Sequence, residues 1–197
     1  MIAIVDYGAG NLSNVKNLFD FLGEDSVITS DPAVVKKADR VVLPGVGAFG
    51  YLMDNLKKKG LDKAIIEAIG SGKPFLGVCL GFQALFEESE ESPGAKGLCV
   101  LRGKVVKLRH GKVPHIGWNN VKAVRKSDFE DGFAYFVHSY HPDPNDKDII
   151  LFETDYHRKF CSGVMKDNIL AVQFHPERSG KWGIDFYRSW LKSKDQQ

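Results

Sequence analysis

A chain of 197 residues with 43% hydrophobic and 26% charged side chains has the make-up of one globular domain, expected to span residues 1–197. A net charge of +2, with no lysine–arginine stripe, argues against a nucleic-acid protein, and no apolar run reaches membrane-spanning length. Three cysteines at no metal spacing imply neither a disulfide framework nor a metal site, and Met1 to Asp6 reads as a strand rather than a secretory leader. A reduced, cytoplasmic setting is expected.

Strands and helices alternate through the first half. Ile2 to Val5 is a continuous apolar run, the mark of a strand covered on both faces. Tyr7 to Asn11 is a loop that lacks the spacing of a phosphate cradle. Leu12 to Leu22 carries helical spacing at Val15, Leu18, Phe19 and Leu22, and Gly23 ends it. Val27 to Thr29 is a short strand, and Asp31-Pro32 opens a helix through Ala38 with a capping side chain and a first-turn proline. Arg40 to Leu43 is a third strand, running into Pro44-Gly45-Val46-Gly47. Helical patterns follow at Tyr51 to Leu56 and Leu61 to Ile69, with Lys57 to Lys59 at the exposed end of the first. Pro74 to Val78 is the next strand. This order predicts a single-domain α/β fold with a largely parallel central sheet, helices on both faces, and extra strands in the second half.

Those extra strands are expected at Val100 to Leu108, Asn120 to Val124, Phe133 to Val137, Asp148 to Phe152, Phe160 to Val164 and Leu170 to Phe174. Trp182 to Leu191 is the closing helix. The acidic stretch Glu87 to Gly94 reads as a mobile, solvated loop.

Two short segments carry chemistry. Gly77-Val78-Cys79-Leu80-Gly81 follows an apolar strand and precedes a helical pattern, which is the layout of a nucleophile elbow bearing a thiol. A cysteine at the mouth of a helix is favoured as thiolate. Val172-Gln173-Phe174-His175-Pro176-Glu177 ends a second apolar run with an imidazole and, two residues on, a carboxylate. With both strands in one sheet, His175 can deprotonate Cys79 and Glu177 can fix the imidazole tautomer. An oxyanion hole needs two convergent N–H donors. Leu80 supplies one directly after the nucleophile, and the segment Gly45, Val46 and Gly47 is the natural source of the second.

With these motifs in place, the chain resembles the class I (triad) glutamine amidotransferases. Asp6-Tyr7-Gly8-Ala9-Gly10-Asn11-Leu12, Leu43 to Phe49, Pro114-His115-Ile116-Gly117-Trp118-Asn119 and Tyr135 to Tyr140 narrow the likeness to the branch of glutaminase subunits of imidazole glycerol phosphate synthases. The resemblance implies Cys79 as nucleophile, His175 as general base and then acid, and Glu177 as its orienting partner. It puts Gln83 in the glutamine pocket and His138, Ser139 and Tyr140 near the substrate and a subunit interface. Phe82 departs from the expected methionine but stays apolar. The resemblance further implies L-glutamine as substrate, no cofactor, and a heterodimer with a cyclase subunit of (β/α)8 form. Such a barrel needs about 250 residues of its own, so it must be a separate chain. An amidotransferase serving anthranilate or pyridoxal phosphate synthesis is the alternative, and a freestanding hydrolase or a silent scaffold are more distant ones.

Overall fold

The computed structural model describes residues 1–192. In chain order the first half runs β1 (Ile2–Val5), α1 (Leu12–Phe21), β2 (Ser26–Thr29), α2 (Pro32–Lys37), β3 (Arg40–Gly45), α3 (Phe49–Lys59), α4 (Leu61–Gly70), β4 (Phe75–Cys79) and α5 (Leu80–Gln83). The second half runs β5 (Glu88–Ser89), β6 (Gly103–Lys107), β7 (His115–Ala123), β8 (Gly132–His138), β9 (Tyr140–Pro144), β10 (Ile150–Asp155), β11 (Lys159–Lys166) and β12 (Ile169–Val172), then a 3-10 turn at Pro176–Arg178 and α6 (Gly180–Lys192). Among the described residues, no helix is long and apolar enough to cross a membrane.

The central sheet has nine strands in the order β2-β1-β3-β4-β12-β11-β10-β7-β8. The pairings from β2 through β12 are parallel, as the strand–helix alternation requires, and those from β12 to β8 are antiparallel. A second, three-stranded sheet has the order β5-β6-β9. Side chains alternate across β1, so Ala3 and Val5 enter one core while Ile2 and Ile4 enter the other. The first core is covered by α2, α3 and α4, and the second by α1 and α6 through Val15, Phe19, Phe186, Tyr187 and Trp190. Strands β1, β4 and β12 are buried on both faces, which explains their uninterrupted apolar sequence.

Local signals acted where expected. The Asp31 carboxylate accepts the Ala33 N–H at 2.8 Å, capping α2 ahead of its proline. Gly60 adopts a left-handed conformation after Lys57, Lys58 and Lys59 and closes α3.

Four expectations are corrected. The strand expected over Val100 to Leu108 shrinks to β6. Leu98 instead donates its N–H to the Ala84 carbonyl, Cys99 to that of Phe86, and Val100 and Leu101 to that of Leu85. That same pairing ends α5 after one turn, so the helix facing Cys79 is too short to supply a strong dipole. The strand expected at Asn120 extends back to His115. Ile116 and Trp118 point outward and stay exposed, which hides the period-two pattern. β9, absent from the sequence reading, carries Pro142 and Pro144 and lies at a sheet edge, where a missing N–H is tolerated.

The acidic loop is the fourth. Glu87 accepts the Gly103 N–H at 2.9 Å, Glu90 the Lys107 N–H at 2.9 Å and Glu91 the Phe49 N–H at 2.7 Å. Ser92 Oγ accepts the Gly50 N–H at 3.0 Å. These carboxylates are structural pins rather than a solvated run.

Candidate active site

Strands β3, β4 and β12 are neighbours whose carboxyl ends are level, with Gly45 opposite Cys79 and Val172 opposite Val78. Parallel alignment therefore delivers the Pro44–Gly47 turn, the elbow and the His175 segment to one edge of the sheet, where ligands bind in such folds. Cys79 ends β4 with φ 55°, in a region a side chain enters only under strain costing about 1–3 kcal/mol. The strain is held by close packing. A Cβ on Gly81 would lie 1.8 Å from the Leu43 carbonyl oxygen, so only glycine lets the chain turn back against β3.

His175 follows β12, and its ring is fixed from two directions. Its Nδ1 lies 2.7 Å from Glu177 Oε1, and both side chains are almost fully buried. Its backbone N–H donates to the Tyr135 carbonyl, while Ser179 Oγ donates to the His175 carbonyl. The other ring nitrogen, Nε2, is buried and has no hydrogen-bond partner among the described residues. Burial pushes the His175 pKa down, but the adjacent Cys79 sulfur and the Glu177 carboxylate outweigh it, and the net shift is upward. An imidazolium beside the sulfur is thereby favoured, which is the charge state that stabilises a thiolate.

These groups face a cavity of about 200 Å³, a size suited to one amino acid. Of the residues singled out from sequence, Val46, Gly47, Cys79, Leu80, Gln83, His138, Ser139, Tyr140 and His175 line it. Glu177 stands behind His175, as an orienting carboxylate must. Gly45 does not line the cavity. A Cβ there would meet Leu80 Cβ at 2.7 Å, so its place is in seating the elbow. Gln83 lines the wall, but its amide nitrogen already donates to the Tyr140 carbonyl at 2.9 Å and to Gln173 Oε1 at 3.0 Å. It has only its oxygen left to offer a ligand.

Besides Val137 in the cavity wall, three residues were missed. Glu91 lines the cavity from the acidic loop, Gln173 donates to Cys79 Sγ at 3.6 Å, and the Tyr7 hydroxyl holds Val46. A glutamine two residues before a candidate base was visible in sequence, but the Glu91 and Tyr7 contacts span long separations that no local pattern encodes. A larger hollow of about 310 Å³ lies beside Lys104, Arg109 and His141, and no cysteine lines it.

His138 and His115 meet beside the cavity, Nδ1 of His115 lying 3.1 Å from Nε2 of His138. Burial holds the His138 pKa down to about 3 and that of His115 to about 4. Both fall below the ~6.5 of an unfolded histidine, so in acid the unfolded chain takes up protons that the folded chain refuses. Their contribution to stability is complete above about pH 6.5 and is lost as pH falls toward the folded values. His175 has the opposite sign, since its raised pKa contributes fully below the unfolded value and is lost only in alkali. The melting temperature is therefore expected to drop between pH 7 and pH 4. His115→Gln should flatten that drop, by on the order of 3 kcal/mol over the window. Superimposable pH–melting curves for the two chains would contradict this account.

Comparison with known proteins gives a consistent picture. The family model described as glutamine amidotransferase class-I matches residues 3–188. The chain is 51% identical to imidazole glycerol phosphate synthase subunit HisH of Pyrococcus furiosus, covering 97% of this chain and 98% of that one. It is 47% identical to the protein of the same name from Methanothermobacter thermautotrophicus, covering 98% of each. Among solved structures, one described as a glutamine amidotransferase superposes with a TM-score of 0.80 over 98% of each chain at 16% identity. That last likeness speaks for the fold alone.

Proposed function

The chain belongs to the class-I glutamine amidotransferase family, in the branch of imidazole glycerol phosphate synthase subunit HisH, and on that premise we propose that Cys79, His175 and Glu177 form its glutaminase triad. The protein is the glutaminase subunit of that synthase and serves histidine biosynthesis. The alternative assignments to anthranilate or pyridoxal phosphate synthesis are not favoured, because the close relatives carry the synthase name over nearly their whole length.

The observation that carries the triad is the buried His175–Glu177 contact with its free Nε2 beside Cys79. In the proposed sequence the thiolate adds to the side-chain carboxamide carbon of glutamine. The tetrahedral oxyanion is received by the N–H of Leu80 and by one from Val46 or Gly47. His175 hands its proton to the departing nitrogen, which leaves as ammonia, and a glutamyl thioester remains. Water then enters; His175 takes its proton, the C–S bond breaks, and glutamate leaves with the thiol restored. Glu177 stabilises the imidazolium throughout.

A synthase subunit works with a partner, and we take that partner to be a (β/α)8 cyclase chain in a heterodimer in the cytoplasm. Ammonia is protonated and inert in neutral water, so a sealed passage between two chains preserves its reactivity. Mixing the chain with such a cyclase and its nucleotide substrate should give glutamine-dependent ring closure. A complex that closes the ring with ammonium salts but never with glutamine would reject this reading.

The triad roles predict an order of damage. His175→Ala removes the group that moves the proton and should cost about 10⁴-fold or more in turnover. Glu177→Gln removes only the orienting charge and should cost roughly ten- to a hundred-fold less than that. Initial rates of glutamate release, with folding checked by circular dichroism, measure both. Equal losses would mean that Glu177 has another role.

A further inference from the structure

We propose that Gln173 is a positioning residue for the nucleophile, its side-chain amide N–H held against the Cys79 sulfur by a hydrogen-bonded chain that starts at the backbone carbonyl of Tyr140. The inference rests on Cys79 being the reactive thiol and goes beyond the triad.

The orientation of each group follows from one fixed acceptor. A backbone carbonyl can only accept, so Gln83 must present its NH₂ to Tyr140 O, 2.9 Å away. The second proton of that NH₂ points to Gln173, 3.0 Å away, which must answer with its oxygen. Gln173 is then left with its own NH₂ facing Cys79 Sγ at 3.6 Å. Gln173 is fully buried and Gln83 nearly so, so neither amide can exchange these partners for water. An N–H directed at sulfur favours the charged form over the neutral thiol. The donor lies just past the end of β12, two residues before His175, so one segment brings both a base and a hydrogen bond to the same sulfur.

The Tyr140 carbonyl is itself held from the other side. His138 Nδ1 lies 2.9 Å from it and must carry the proton there. Its Nε2 is then an acceptor, met by Nδ1–H of His115 at 3.1 Å. The two imidazoles thus act as neutral struts that keep the carbonyl aimed at Gln83. Their depressed pKa values agree with that state.

Gln173→Glu isolates the feature. The carboxylate can still accept from Gln83, but it opposes the sulfur with a lone pair instead of a donor. The readout is the rate of Cys79 alkylation by iodoacetamide against pH, followed peptide by peptide with the exposed Cys99 as internal control. The midpoint for Cys79 should move up by one unit or more while that of Cys99 stays put. Turnover of glutamine should fall at least tenfold in kcat with KM changed less than threefold. Gln173→Met, which removes the donor without adding charge, should give a smaller shift in the same direction and covers the case that the glutamate variant does not fold. An unchanged Cys79 profile in a folded variant overturns the proposal. Alkylation reads the sulfur directly, so this outcome is separate from failure of the glutaminase assignment, which the loss or retention of activity in the complex decides.

Discussion

Cys79→Ser is expected to bring glutamine hydrolysis down by about 10⁴-fold or more while leaving the fold and the partner complex intact. Sulfur and oxygen have similar shapes, so the strained elbow and its packing against β3 should survive the exchange. The hydroxyl, however, is far harder to ionise than the thiol. The raised proton affinity of His175 arises largely from a charged sulfur next to it, and a neutral hydroxyl would remove that cause. Ring closure by the mutant complex supplied with ammonium salts should persist, because that chemistry belongs to the other chain. Glutamate release is the measurement. Retention of a tenth or more of the native rate would sink the nucleophile assignment.

The second large effect concerns the resting state. The Tyr7 hydroxyl donates to the Val46 carbonyl at 2.7 Å and accepts the Val46 N–H at 2.8 Å. Burial pushes the Tyr7 pKa up to about 12, so the hydroxyl keeps its proton at any physiological pH. Val46 N–H thus points at Tyr7 and away from the sulfur, and one proposed oxyanion donor is absent. A missing donor costs about 10²–10³ in turnover. Val46 stands between two glycines, so its peptide can rotate at little steric cost. A partner that binds the rotated form more tightly shifts the population toward it. Glutamate release should therefore be slow for the chain alone and rise about 10²–10³-fold with cyclase and its nucleotide ligand. Tyr7→Phe removes both contacts, so the resting orientation of the Val46 peptide loses the two bonds that hold it. That variant should release glutamate at least tenfold faster than the native chain in isolation and show a smaller activation. Identical rates for the native chain alone, with cyclase, and with cyclase plus its nucleotide ligand would refute the gate.

The parallel half of the fold was legible because its inner strands are covered on both faces, and their sequence needs no decoding of period. Ile2–Val5 and Phe75–Cys79 are continuous apolar runs for that reason. The elbow was legible too, since glycines packed against backbone leave no alternative at Gly81. Legibility failed where an outer face is apolar, as at Ile116 and Trp118, or where prolines sit on an edge, as in β9. It failed also where contacts join distant segments. The Tyr7–Val46 and Gln83–Tyr140 bonds span separations of 39 and 57 residues, and no spacing rule reaches so far.

The acidic stretch has a consequence for how this protein can drift. A composition count treats Glu87, Glu88, Glu90 and Glu91 as equals. Glu88 meets Lys96 in solvent at 3.4 Å, a contact worth little, so almost any polar residue could replace it over generations. Glu91 instead reaches from the loop to the first turn of α3 and walls the cavity, and a side chain one methylene shorter would fall away from the Phe49 N–H. Neighbouring codons for the same amino acid are thus under unequal selection, and a library of surviving variants would be diverse at position 88 and nearly uniform three residues later.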